Sequence, residues 1–152
     1  MKPGSGVIVR VNRQFAVPAE RVFDAWVDPQ WAGKFLFATP KGEMLRCEID
    51  ARVGGSFLIV ERRAGVSIEH FGIYLEVARP RRLSFLLRVP AYSPVSSRVS
   101  VGLLRMEGGC EVVVAHEAVE ESLANRTEEG WKSILEGLDA VLTAMPPQLP
   151  VA

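Results

Sequence analysis

Gly130-Trp131-Lys132-Ser133-Ile134-Leu135-Glu136-Gly137-Leu138 reads as the opening of a long amphipathic helix. From it onward, Trp131, Ile134, Leu135, Leu138, Val141, Leu142 and Met145 recur at helical spacing on one stripe, with Lys132, Glu136 and Asp139 off it. Pro146-Pro147 is expected to stop the helix, because proline removes a helical hydrogen bond and clashes with the preceding turn. An apolar stripe of this kind must be covered. Almost everything before it in the chain is strand-like, so the available cover is the inner face of a sheet.

Working back to the start, Val7, Val9, Val11 and Phe15 alternate with Arg10, Asn12 and Gln14, the period of a half-buried strand. Pro18 suits the first turn of a helix whose Val22, Phe23, Trp26 and Val27 share a face. Asp28-Pro29 marks a second short helix carrying Trp31 and Phe35, and a loop through Thr39-Pro40-Lys41-Gly42 follows. Six more strands are predicted, over 45–49, 56–61, 68–77, 83–89, 99–103 and 110–117, with Gly54-Gly55, Gly65, Arg79-Pro80 and Gly108-Gly109 at turns. Consecutive strands with short turns favour an antiparallel meander over parallel units. Gly72, inside the fourth strand, signals a bulge or a close approach by other atoms.

The expected fold class is α+β, a seven-stranded curved antiparallel sheet around a long C-terminal helix, with two short helices after the first strand. The chain has 152 residues, 48% hydrophobic, and is expected to form a single domain with a core over about 7–145 and flexible ends at 1–6 and 146–152. Eighteen basic residues balance eighteen acidic ones, which removes the field that general nucleic-acid binding requires. Arg62-Arg63 and Arg79-Pro80-Arg81-Arg82 read as solvated hairpin ends. Mean hydropathy is +0.14, a surplus that a hydrophobic cavity or a homodimer face would each explain. Cys47 and Cys110 lie in apolar strands without a CxxC or a cysteine–histidine cluster, so neither a metal nor a disulfide is expected and a reduced, cytoplasmic setting is. The leader Met1-Lys-Pro-Gly-Ser-Gly has no apolar run, and no stretch approaches the roughly 18 apolar residues of a membrane span.

Several runs together carry a resemblance. They are Arg13-Gln14-Phe15-Ala16-Val17-Pro18-Ala19-Glu20-Arg21-Val22-Phe23, Asp28-Pro29, Arg52-Val53-Gly54-Gly55, Gly72 with Glu76-Val77-Ala78-Arg79-Pro80 and Leu83, and Gly130-Trp131 with Leu135 and Leu138. In order and spacing the chain resembles the homologues of the activator of the ninety-kilodalton heat-shock-protein ATPase, a family of the START-like (SRPBCC) superfamily that includes the birch-pollen-allergen type. The resemblance spans about residues 7–142. It implies the helix-grip fold and a cavity between sheet and helix. Members bind lipids, sterols, polyketides or other apolar molecules; some act as cyclases or dehydratases and some as co-chaperones. In the eukaryotic activators this domain works beside a second, N-terminal domain, for which these residues are expected to leave no room. The family offers no fixed catalytic motif to map onto this chain, and no cofactor is expected.

The leading expectation is a domain that binds a small apolar or amphipathic molecule. Its candidate cavity residues are Phe35, Phe37, Cys47, His70, Tyr74, Phe85, Leu87, Arg98, His116, Trp131, Ile134, Leu135 and Leu138. The rings and aliphatic chains would supply burial, and His70, His116 or Arg98 would orient the ligand. Arg98 is expected to ask for an acid group if it faces inward and to be ordinary decoration if it faces solvent. Glu69 and Glu76 fall on different faces if Gly72 is a bulge. Two other readings stand beside this one: an enzyme of cyclase, dehydratase or hydrolase type in the same cavity, with a histidine as acid or base, and an interaction module with a chaperone partner.

Overall fold

The computed structural model describes residues 6–144. The chain runs β1 (Val7–Phe15), α1 (Ala19–Val27), α2 (Pro29–Ala32), β2 (Glu43–Ile49), β3 (Ser56–Arg63), β4 (Val66–Ala78), β5 (Arg82–Arg88), β6 (Ser97–Met106), β7 (Gly109–Val119) and α3 (Ala124–Ala144), with a single 3-10 turn before α3. The seven strands form one sheet in the order β1-β7-β6-β5-β4-β3-β2, antiparallel throughout. The helix-grip α+β fold is therefore present, and β1 and β2, neighbours in the chain, occupy opposite edges. Met145, Pro146-Pro147 and both expected flexible ends lie outside the described residues, apart from Gly6.

Alternation in the strands sets the concave face. Val9, Val11 and Phe15 of β1, Phe57 and Ile59 of β3, Leu83, Phe85 and Leu87 of β5, Val99, Val101 and Leu103 of β6, and Cys110, Val112 and Val114 of β7 are all buried. Against them α3 buries Trp131, Ile134, Leu135, Leu138, Val141 and Leu142. Each such side chain removed from water is worth about 1.5–3 kcal/mol, an upper figure because the unfolded chain is itself partly collapsed. The helix starts six residues before the expected Gly130, at Ala124. Its first turns carry Asn125, Arg126, Glu128 and Glu129 and have no apolar stripe to announce them.

α1 buries Ala19, Val22, Phe23, Ala25 and Trp26. It gives way at Asp28, whose side chain accepts from Gln30 N at 2.9 Å and so caps α2, with Pro29 at the first position. α3 runs closest to β1, β7 and α1. Over β3–β5 the helix meets the sheet through large side chains, and that side of the interface holds the chemistry described next.

Gly72 is a close-approach site. A β-carbon there would collide with the Phe57 ring. The irregularity in β4 falls later, between Tyr74 and Glu76. Glu69 and Glu76 are both on the solvent side of the molecule, Glu76 holding Arg82 at 2.8 Å.

Candidate functional site

Two polar corners flank an aromatic seam. The first is built on β3 and β4. Glu61 is 1% exposed. Its carboxylate accepts from Thr39 N at 2.6 Å and from Thr39 Oγ1 at 3.0 Å, and also from Arg63 Nε. Gly42 admits the carboxylate, since a β-carbon there would overlap it. The Arg63 guanidinium continues outward. Nη1 donates to Tyr92 Oη at 3.0 Å, and Nη2 donates to Phe37 O at 3.1 Å and faces His70 Nε2 at 3.4 Å. The other ring nitrogen of His70, Nδ1, lies 3.2 Å from Ile59 O. A carbonyl can only accept and a guanidinium can only donate, so Nδ1 carries the hydrogen and the ring is neutral. Burial, then the Arg63 charge, push the His70 pKa down to about 4.

The second corner joins three elements. Trp131 Nε1 of α3 donates to His116 Nδ1 of β7 at 3.1 Å, and His116 Nε2 lies 2.7 Å from Ser97 Oγ at the start of β6. Indole is a donor only, so Nδ1 is the bare nitrogen, Nε2 carries the hydrogen and this imidazole too is neutral. Burial alone pushes its pKa to about 4. In this arrangement neither histidine offers a free lone pair to a substrate proton.

Between the corners runs the seam. Phe37 stacks on His70 with centroids 4.4 Å apart and planes 10° off parallel. It also meets Phe57 at 6.2 Å and Trp131 edge-on at 5.8 Å. Phe57 passes the contact to Phe85 at 5.1 Å and Tyr74 at 5.6 Å, and Trp131 passes it to Trp26 at 6.4 Å. Phe37 holds its place at φ +55°, in the left-handed region, which costs a bulky residue about 1–2 kcal/mol. Stacking and the Arg63 hydrogen bond hold it there. The space between α3 and β3–β5, expected to be hollow, is thus occupied by rings. Hollows among the described residues lie elsewhere: one of about 420 Å³ beside Pro18, Glu20 and Arg105, and a groove of about 510 Å³ on the convex face near Arg10, Gly102 and Leu104.

A model of the family described as Activator of Hsp90 ATPase homolog 1-like protein matches residues 16–143. The chain belongs to this family. Among solved structures it is similar to a protein of Chromobacterium violaceum, 26% identical over 91% of this chain and 98% of that one, with a TM-score of 0.79. A protein of Rhodobacter sphaeroides is 22% identical over 95% and 98%, TM-score 0.79. An AHSA1-like protein of Aeromonas hydrophila is 23% identical over 91% and 93%, TM-score 0.78. The last two, below 25% identity, speak for the fold alone. No curated protein matches the chain.

Within this AHSA1-like domain the residues named from the sequence separate. Phe35, Phe37, His70, Tyr74, Phe85, Leu87, Trp131, Ile134, Leu135 and Leu138 are buried in the interior, and His116 is partly buried beside them. Cys47 is half-buried against Gly33 at the β2 edge, where burial, then Asp28, push its thiol up to about 11. Burial first, then Cys47 and Asp50, also push the Tyr74 phenol up. Arg98 faces outward beside Glu117, 3.7 Å away, and takes no part in the seam. Arg63 corrects the expectation of a solvated hairpin end, for it turns inward to Glu61 while Arg62 stays outside with Glu43. Trp31 is partly buried against the core, with Lys34 over its ring.

Sequence reading missed Glu61, Arg63, Tyr92, Ser97, Phe57 and Trp26 as site residues. For Glu61 and Arg63 the signal was present, since they continue the inward parity of Phe57 and Ile59. Among the described residues, no three His, Cys, Asp or Glu side chains converge as metal ligands, and no helix is long and apolar enough to cross a membrane.

Proposed function

We propose that this domain binds a small apolar or amphipathic molecule between α3 and the β3–β5 part of the sheet, in the volume that Phe37 now fills. The observation that carries the reading is Phe37 itself. A large ring held in an unfavourable backbone conformation, by one hydrogen bond and stacking alone, is a plug whose release relieves strain. Its withdrawal leaves a pocket walled by Phe57, Tyr74, Phe85 and Trp131, with the neutral His116 at one end and His70 beside the Arg63 guanidinium at the other. That combination of apolar walls and few polar groups is what small-molecule sites use. A reducing, cytoplasmic setting belongs to the same reading and is supported by two free cysteines.

A second reading, an interaction module for a chaperone ATPase, draws on the family description and on exposed Ile8, Ile73, Leu86 and Leu104 of the convex face. One experiment weighs the two. Myristate, cholesterol and naringenin are each added to the wild type and to Phe37→Ala, and thermal unfolding and tryptophan quenching are followed. A bound probe at about a hundredfold excess over its Kd is expected to raise the midpoint by roughly 5–10 °C, and Phe37→Ala is expected to bind it more tightly. No shift in either protein, together with stimulation of an added heat-shock ATPase, would transfer the assignment to the second reading.

A further inference from the structure

The outer face of the sheet carries more apolar surface than solvent requires. Ile8 and Leu104 are 52% and 56% exposed there, and further across the face Ile73 and Leu86 stand out, paired across β4 and β5. Single exposed apolar residues need no explanation, but several on one sheet face mark a contact surface.

Between these side chains the face is hollow. The groove of about 510 Å³ has the small residues Ser100, Gly102 and Ala115 at its floor and Ile8 and Leu104 at its walls. A β-carbon at Gly102 would meet nothing closer than Val113 O at 4.0 Å, so the floor has room for a side chain from outside. Leu104 of a second copy has the bulk that this floor lacks. A twisted sheet is bowed along one diagonal and hollow along the other, so two such faces seat when crossed at a large angle.

Charge selects the occupant. Around the groove Arg10, Arg82 and Arg98 are balanced by Glu76, Glu111 and Glu117. A strongly acidic or basic partner, or an anionic lipid surface, would meet as much repulsion as attraction. Within the chain Glu76 holds Arg82 at 2.8 Å and Glu117 lies 3.7 Å from Arg98. That leaves Arg10 without a carboxylate among the described residues, and Glu111 with the Asn12 amide alone, at 2.7 Å. Two-fold symmetry turns such leftover opposites into two identical pairs.

We propose that two copies of the chain associate through this face, with Leu104 of each seated over Gly102 of the other and Arg10 of each facing Glu111 of the other. Five adjacent strands at about 4.8 Å spacing, each with about seven residues at about 3.3 Å, present on the order of 550 Å² per copy. Roughly 1,100 Å² over both is the size of a weak, reversible contact, so the Kd is expected in the micromolar range, about 1–50 μM. The contact leaves the space between α3 and β3–β5 untouched and stands apart from ligand binding.

Sedimentation equilibrium of the full chain from about 1 to about 300 μM is the test, with thermal unfolding to check that each variant folds. The wild type is expected to pass from monomer to dimer across that range. Gly102→Arg, at a position open enough to take the side chain, is expected to fold normally and to weaken association at least about 10-fold. Arg10→Glu is expected to weaken it roughly 5- to 10-fold by setting acids face to face, and Arg10→Glu with Glu111→Arg to restore it to within about 3-fold. A chain that stays monomeric at every concentration overturns the inference. So does a dimer that Gly102→Arg leaves as tight as before, because its contact then lies on another surface. Failure of the swap to rescue Arg10→Glu overturns the ion pair. Capture of an added heat-shock ATPase by a wild type that does not self-associate, lost in Gly102→Arg, gives the face to that partner and overturns the dimer.

Discussion

His70 and His116 are the same residue type, on the same concave face, with the same lowered basicity, yet different surroundings hold them neutral. Around His70 the neighbours are charged: Glu61 and Arg63 form an inward ion pair whose arginine leans toward the ring. Around His116 they are neutral: an indole on one side and a hydroxyl on the other. Burial leads in both, but only His70 has a cation adding to it. The difference teaches that this interior tolerates polar atoms on two terms. One corner balances full charges and locks β3 to the loops at Phe37 and Tyr92. The other satisfies donors and acceptors one for one and clips α3 to the sheet.

The charged corner is the more brittle, and the largest effect is expected there. Glu61→Ala strands the Arg63 charge and orphans both Thr39 donors, and should cost about 3 kcal/mol, the lower part of the range for breaking a buried pair because Arg63 is partly exposed. Urea denaturation checks it, and a loss below about 1 kcal/mol would mean that the pair is not a structural lock. Acid comes next and acts on both corners. The rings titrate at about 4 in the fold against 6.5 for a free imidazole, so between these values the unfolded chain binds more protons and stability rises with pH. The contribution is complete above about pH 6.5 and is lost as pH falls through about 4, on the order of 3 kcal/mol for each ring. Unfolding free energies measured across that interval should show the slope; a flat profile would place both histidines in water. The smallest change separates the corners. Trp131→Phe removes the donor that favours neutral His116, so that ring should titrate higher in an NMR pH series while His70 stays put, with a stability loss of about 1–2 kcal/mol. If both rings move together, the corners are one coupled unit.

The fold was legible because its signals are long. The stripe from Trp131 to Leu142 and the alternation of Val7 to Phe15 or Leu83 to Leu87 repeat often enough to define faces. The start of α3 was hidden because its first residues bury nothing that a period would mark. The candidate site was legible only for apolar residues and histidines. Arg63 was misread because charge and a neighbouring turn argued for solvent, while its inward parity depended on a carboxylate two residues away. Trp26 was assigned to a core face correctly, but whether an indole N–H finds an acceptor is decided by the packing of distant elements. Phe37 gave no sign of its left-handed backbone, since bulky residues rarely adopt it and the contacts that hold it come from β3 and β4.

The pairing of Val7 with Val119 and of Phe15 with Cys110 has a consequence for synthesis. The opening strand leaves the ribosome more than a hundred residues ahead of the last part of its partner, and its row of amides stays unpaired until that partner emerges. Only then can the hand close around α3, the last described element to be made. Until that moment the nascent chain presents an apolar strand edge and an uncovered palm, the two features that invite aggregation, so the interval before release is the vulnerable stage of this protein's life.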